Sequence, residues 1–79
     1  MKITLVNMAK MIESYGWESI PSKNPYMISF THTDAPEYIR MNIYTTTYTV
    51  TIQYPGGKIK TWKQVGLQEL EEIITTVKL

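Results

Sequence analysis

The 79-residue sequence contains no cysteine, and this absence excludes two classes of small protein. A disulfide scaffold and a zinc site built on thiolates both require cysteine side chains. No run of the chain approaches the roughly 20 apolar residues that a membrane-spanning helix needs, and the first residues lack the unbroken apolar core of a signal peptide. We therefore expect a cytoplasmic protein with no membrane partner.

Motifs that identify an enzyme or a cofactor site are also missing. The chain has no complete glycine-rich phosphate loop, no HExxH zinc motif and no GxSxG nucleophile elbow. Residues 55–58, with the sequence PGGK, match only part of a phosphate loop, and a plain β-turn explains them. We expect neither a cofactor nor a metal site.

The single histidine, His32, is the one candidate for acid–base chemistry. It stands beside Thr31, Thr33 and Asp34, so a carboxylate and two hydroxyls are close to it in the chain. A lone histidine in a turn is more often a solvated side chain or a cap at a strand end. We therefore predict a non-catalytic protein and rank a weak enzyme using His32 last.

The residues that are present are typical of one small globular domain spanning residues 1–79. Hydrophobic residues make up 43% and charged residues 19% of the chain. Disorder requires low hydrophobicity and high net charge, so this balance argues against it. Because the formal net charge is only +1, attraction to nucleic acid would have to come from a local patch.

Two stretches show the three- and four-residue spacing of amphipathic helices. The first runs from Thr4 to Tyr15 and is followed by Gly16, a residue suited to a left-handed helix cap. The second runs from Leu67 to Leu79 and carries glutamates in its first turns, where negative charge suits the helix dipole.

Between the helices, alternating apolar and polar residues predict three or four strands. They cover residues 26–31, 38–44, 48–54 and, with weaker alternation, 58–65. Short turns make the strands an antiparallel meander, and both helices cover one face of the sheet while the other meets water. The predicted fold is thus an α+β two-layer sandwich, α-β-β-β(-β)-α. Thr45–Thr47 is either a hairpin turn, which we favour, or a bulge in one long strand.

Charge is distributed unevenly along the chain. Residues 38–65 carry four cations and no acid, whereas residues 67–79 carry three glutamates and one lysine. Aromatic side chains are interleaved with these cations, as on faces that pair with phosphates and stack on bases. On the outward sheet face or its lysine-rich edge, the predicted partner-binding residues are Arg40, Tyr44, Lys58, Lys60, Trp62 and Lys63.

A structural interpretation explains the same residues without any partner. Threonine and tyrosine are favoured on exposed sheet faces, and lysines on edge strands protect against aggregation. The hypotheses that stay open are a nucleic-acid-binding domain and a domain that binds a host protein as an inhibitor or adaptor, such as a phage or mobile-element accessory protein. An exposed strand would also allow two copies to pair as a homodimer.

Residues 8–20, with the sequence MAKMIESYGWESI, resemble the opening of the HicA family of small toxins. That family begins with a helix of this length ending in a Gly-Trp-like turn, and it continues as an α-β-β-β-α, dsRBD-like fold. The family carries a histidine near the start of its first strand, usually after Gly-Ser. Here residues 22–28 read SKNPYMI, and His32 lies several residues later. The resemblance therefore implies a fold related to RNA binding without the ribonuclease histidine.

Overall fold

The computed structural model describes residues 3–35 and 38–77. Helix α1 spans Ile3–Ser14 and helix α2 spans Leu67–Thr76. Five strands lie between them: β1 (Trp17–Ile20), β2 (Met27–His32), β3 (Arg40–Tyr44), β4 (Thr49–Gln53) and β5 (Ile59–Trp62). Each strand pairs antiparallel with the next along the chain, so the sheet order is β1-β2-β3-β4-β5. The predicted α+β architecture with two helices packed on one antiparallel sheet is confirmed.

The sheet has one strand more than the sequence patterns predicted. β1 begins directly after the turn at Gly16 and pairs with β2, with Trp17 opposite His32 and Ile20 opposite Ser29. Gly16 allows this sharp reversal because its φ is +93°, a region that side chains disfavour. The strand escapes detection because only its first residue, Trp17, is buried, so Trp-Glu-Ser-Ile shows no alternation.

The hydrophobic core lies between one face of the sheet and the two helices. Opposed residues of antiparallel strands share a face, so the alternation of β2, β3 and β4 aligns their apolar side chains in rows. The buried core side chains from these strands and the helices are Met8, Ile12, Phe30, Met41, Ile43, Val50, Ile52, Leu70, Ile73 and Ile74. None of them is more than 6% exposed. Tyr48 and Tyr54 are half-buried against this core, as the alternation predicted.

A four-residue turn, Thr45–Tyr48, joins β3 to β4 and confirms the hairpin interpretation of the threonine triplet. The backbone N–H of Tyr48 donates to the carbonyl of Tyr44 at 2.8 Å, and Tyr48 has a φ of +56°. The amide and hydroxyl of Thr45 both donate to the carbonyl of Tyr26, at 2.8 and 3.1 Å. Tyr48 therefore closes the turn in the left-handed backbone conformation, a role that glycine or asparagine usually fills and that neither residue fills here.

The helices pair with each other over the sheet and differ in extent from the prediction. The Tyr15 hydroxyl, just after α1, donates to Glu71 Oε2 on α2 at 3.0 Å, and chiefly this bond raises the pKa of the Tyr15 phenol. α2 ends at Thr76 and Val77 is extended, whereas the prediction continued the helix to residue 79. Residues 78–79 lie outside the described residues. Neither helix, within the described ranges, has the length and apolar character needed to cross a bilayer.

Candidate binding face

The sheet face opposite the helices, here called the open face, is polar along its centre. By strand register its side chains are Glu18, Ile20, Met27, Ser29, Thr31, Arg40, Asn42, Tyr44, Thr49, Thr51, Gln53, Ile59 and Thr61. On the three central strands Arg40 is the only charged member of this set. The centre of the open face is therefore mostly hydroxyl and amide groups around one cation, and the acid Glu18 lies on the edge strand β1 in the same row as Arg40.

Two polar side chains in the middle of the open face are buried, although the two helices pack on the opposite face of the sheet. Ser29 is 1% exposed and Asn42 is 7% exposed. They are register partners on β2 and β3, and the Ser29 hydroxyl donates to Asn42 Oδ1 at 2.8 Å. Buried polar groups cost free energy unless they are hydrogen-bonded, and this pair satisfies that requirement.

Arg40 is bonded to both members of the buried pair. Its Nε donates to Asn42 Oδ1 at 2.9 Å and its Nη2 donates to Ser29 Oγ at 3.1 Å. Arginine has five N–H donors, and these two bonds leave three of them for other partners. Among the described residues no carboxylate pairs with Arg40. The arginine is thus held in one place by the fold, and within residues 3–35 and 38–77 no carboxylate neutralises its charge.

A guanidinium that is already fixed is well prepared to bind an anion. Arginine loses much side-chain entropy when a ligand immobilises it, and here its bonds to Ser29 and Asn42 have restricted it beforehand. Its planar donors match the oxygens of a carboxylate or a phosphate. Thr31 and Gln53 flank Arg40 in the same row of the sheet, and they add polar side chains beside it.

Arg40 and Tyr44, both predicted as site residues, lie on the open face as expected. They are on the same strand four residues apart, which corresponds to about 13 Å. Tyr44 is 37% exposed, so part of its ring is accessible. The structure therefore confirms their outward orientation, whereas their role in binding stays a prediction.

The outward orientation predicted for Lys60 and Trp62 is wrong. Lys60 is opposite Ile52 and Trp62 is opposite Val50, so both point to the helix-covered side of the sheet. Trp62 is half-buried against the core, and Lys60 places its Nζ 5.8 Å from the centroid of the Tyr54 ring. The physical reason is that successive side chains of a strand point to opposite faces. A pattern assigned one residue out of step therefore places every side chain of the strand on the wrong face.

Ile59 accounts for the wrong orientation predicted for Lys60 and Trp62. The weak alternation of β5 predicts that the apolar Ile59 points toward the core, which places Lys60 and Trp62 on the outward face. Instead Ile59 pairs with Gln53 on the open face and is 54% exposed. An edge strand has fewer neighbouring side chains to pack against, so the hydrophobicity of a residue predicts its orientation less well there.

Lys58 and Lys63 are the remaining predicted residues, and they flank β5 at its two ends. Both are exposed. They are five residues apart, which corresponds to about 16 Å along the strand. With Lys60 they form a basic edge, but the three lysines do not share one sheet face with Arg40.

His32 has a structural role at the junction of α1 and β1. Its Nε2 lies 3.0 Å from the Tyr15 carbonyl, and its Nδ1 accepts from the backbone N–H of Asp34 at 3.1 Å. These partners require the neutral ring with its proton on Nε2. The ring also packs edge-on against Trp17, with centroids 5.3 Å apart. Both nitrogens are engaged by backbone groups, so His32 is not placed for proton transfer.

Sequence patterns missed the buried pair beneath Arg40. Ser29 and Asn42 alternate with apolar neighbours in the way that solvent-facing strand residues do. One signal was present, because asparagine is depleted in the interior of strands and needs a specific reason to occupy one.

Comparison with known proteins finds no family model that matches the chain and no significant match among curated proteins or solved structures. The resemblance to HicA-like and dsRBD-like proteins is thereby neither supported nor contradicted, and it stays a prediction. The function must be inferred from the chemistry of the open face itself.

Proposed function

We propose that this chain is a small non-catalytic domain that binds nucleic acid through the open face of its sheet. The observation that carries the proposal is Arg40, a cation held in place by Ser29 and Asn42 and paired with no described carboxylate. A fixed guanidinium on an acid-free central sheet surface suits a phosphate group of a passing strand.

The surroundings of Arg40 suit the rest of a nucleotide chain. Threonine hydroxyls on β4 and β5, such as those of the register partners Thr51 and Thr61, can donate to phosphate and sugar oxygens. Tyr44 presents part of an aromatic ring at the far end of β3, where a base can stack. The face therefore combines the two contacts, phosphate pairing and stacking, that sequence-tolerant binding uses.

The structure also limits how strong the electrostatic component can be. Lys60 lies on the helix-covered side, and Lys58 and Lys63 are at opposite ends of the edge strand. A single strand crossing the open face would meet one or two cations, giving a slope of log K against log salt of about −0.7 to −1.4. We expect modest affinity that depends on salt.

The test is the binding of a labelled single-stranded oligonucleotide, followed by fluorescence anisotropy over a range of salt concentrations. Arg40→Gln should weaken binding about 10-fold at low salt and make the salt slope shallower by about 0.7. Lys23→Gln removes an exposed lysine from the β1–β2 loop and is the matched control, with no change expected. Equal effects of the two variants, or no salt-dependent binding by the unmodified protein, would contradict the proposal.

A protein partner is the second candidate, and one observation favours it. Ile59 and Tyr38 are 54% and 62% exposed, and both line a shallow depression beside the Pro55–Gly57 turn. Exposed aliphatic and aromatic groups at one site are typical of protein interfaces, and an isoleucine gains nothing from a phosphate. Capture of a host protein that resists high salt and is lost in Ile59→Lys, without oligonucleotide binding, would favour this function.

A further inference from the structure

A cleft at one end of the sheet is separate from the Arg40 cluster. It lies between the β3–β4 turn and the segment that links β5 to α2, and its volume is about 990 Å³. Small-molecule sites usually measure about 300–1,000 Å³, so the cleft is large enough for a nucleotide. Its lining residues are Thr46, Thr47, Tyr48, Thr49, Lys63, Gln64, Val65 and Gly66.

The backbone of both walls is strained. Tyr48 and Gln64, with φ of +56° and +55°, are the only non-glycine residues with positive φ in the described part of the chain. One stands in each wall, and the N–H of Val65 donates to the carbonyl of Tyr48 at 2.9 Å to join the walls. Strained non-glycine residues persist only where the surrounding structure holds them, so the shape of the cleft is fixed.

The chemistry of the lining is that of a site for an anion attached to an apolar body. Lys63 is the only charged residue in the lining, and within the described chain no ion pair neutralises it. Thr47 and Thr49 place their hydroxyls 2.9 Å apart in the same wall. The half-buried Tyr48 supplies apolar surface, and Val65 lies buried in the core behind it.

Gly66 lies in one wall of the cleft, and neither its backbone conformation nor its neighbours require a glycine there. Its φ of −94° and ψ of 178° suit any residue, and a Cβ built there would meet nothing within 4 Å. It occupies the N-cap of α2, where serine or aspartate would stabilise the helix, yet no side-chain bond caps this end. Because Gly66 also lines the cleft, a side chain added there would stand at its border.

We propose that the cleft binds a nucleoside monophosphate, with its phosphate at Lys63 and the threonine hydroxyls and its base against Tyr48. The occupant follows from charge complementarity, because the lining carries one cation, no acid and an apolar surface. This site requires neither Arg40 nor nucleic-acid binding by the open face, so the two proposals stand separately.

The test is a titration of the ¹⁵N-labelled protein with adenosine monophosphate, adenosine and inorganic phosphate, followed by amide chemical shifts. Adenosine monophosphate should shift the amides of residues 46–49 and 63–66 saturably, and adenosine and inorganic phosphate should each bind at least about 10-fold more weakly. Lys63→Gln should weaken binding about 10-fold, while Lys23→Gln and Arg40→Gln should leave it unchanged. Equal affinities for adenosine and its monophosphate, or unchanged binding in Lys63→Gln, would overturn the proposal.

Gly66→Asp provides a variant that tests the site without weakening the fold. Aspartate should cap α2 and raise the melting temperature, yet it adds a negative charge to a lining without an acid, and repulsion of the phosphate should weaken binding of adenosine monophosphate at least about 10-fold. Undiminished binding in this folded variant would also overturn the proposal. An oligonucleotide with and without a 5′-phosphate distinguishes the source. If only the 5′-phosphorylated oligonucleotide shifts these amides, the ligand is the end of a nucleic-acid strand. If neither oligonucleotide shifts them, the ligand is a free nucleotide.

Discussion

Two neighbouring rows of side chains cross the same three central strands and have opposite chemistry. On the helix-covered face, Phe30, Met41 and Ile52 are opposed in register, and each is at most 2% exposed. One position further along, the open face opposes Thr31, Arg40 and Gln53. The first row is buried because two helices cover it, whereas the second lies on the face opposite the helices.

The difference shows that burial on the two faces has different causes. Apolar area removed from water stabilises the helix-covered face, at about 25 cal/mol per Å². Ser29 and Asn42 on the open face are as buried as core residues, yet hydrogen bonds hold them and the half-buried Arg40 lies on them. The helix-covered face therefore contributes hydrophobic stabilisation, whereas the open face contributes hydrogen bonds that hold one charged side chain in place.

The largest expected effect is on the helix-covered face. Met41→Ala should lower the free energy of unfolding by about 3 kcal/mol, because Met41 is fully buried and its truncation leaves a cavity. Thr51→Val, on the open face of the adjacent strand, should change it by less than about 0.5 kcal/mol. Urea denaturation of both variants measures the contrast, and similar losses would show that the faces do not differ as described.

A smaller effect is expected from breaking the buried polar pair. Asn42→Val should cost about 2 kcal/mol, because it removes the acceptor of both Ser29 and Arg40. The double variant Ser29→Ala with Asn42→Val should cost less than the sum of the two single variants, since each single variant already breaks the bond between the two side chains. A loss equal to that sum, measured by urea denaturation, would show that the pair is not a coupled unit.

The smallest effect compares two aromatic residues on opposite faces. Trp62→Ala should cost about 1–2 kcal/mol of stability because Trp62 is half-buried against the core, and it should leave oligonucleotide affinity unchanged. Tyr44→Ala should lower that affinity about 5-fold, through the loss of stacking, and cost less stability than Trp62→Ala. Thermal unfolding and anisotropy titrations measure both quantities. If Trp62→Ala lowered the oligonucleotide affinity and Tyr44→Ala did not, the binding surface would lie on the helix-covered side of the sheet and the proposal would be wrong.

Sequence patterns predicted the elements well where the apolar period was strong. The alternation in β2, β3 and β4 identified the residues that face the core, because each of these strands has one buried face. They failed at β1, where only Trp17 is buried, and at β5, where Ile59 is exposed on the open face. Both failures occur on edge strands, which have a neighbour on one side only and therefore a weaker burial pattern.

The candidate site was predicted only in part for a related reason. Arg40 and Tyr44 were placed on the outward face because β3 alternates clearly, whereas Lys60 and Trp62 were assigned to that face through the weak alternation of β5. The hydrophobic pattern did not reveal that Ser29 and Asn42 hold Arg40, because the pattern shows which residues are polar but not which polar residues are buried.

The sequence by itself determined the layered α+β architecture, because hydrophobic period decides which elements form and which side of each is buried. It also determined that cations gather between residues 38 and 65 while acids gather in the second helix. Only the tertiary structure decided which cations share a face, because the parity of hydrogen-bonded register sets the direction of every strand side chain. It alone placed Arg40 on Ser29 and Asn42, since strand pairing brings together side chains that stand 11 and 13 positions apart in the chain.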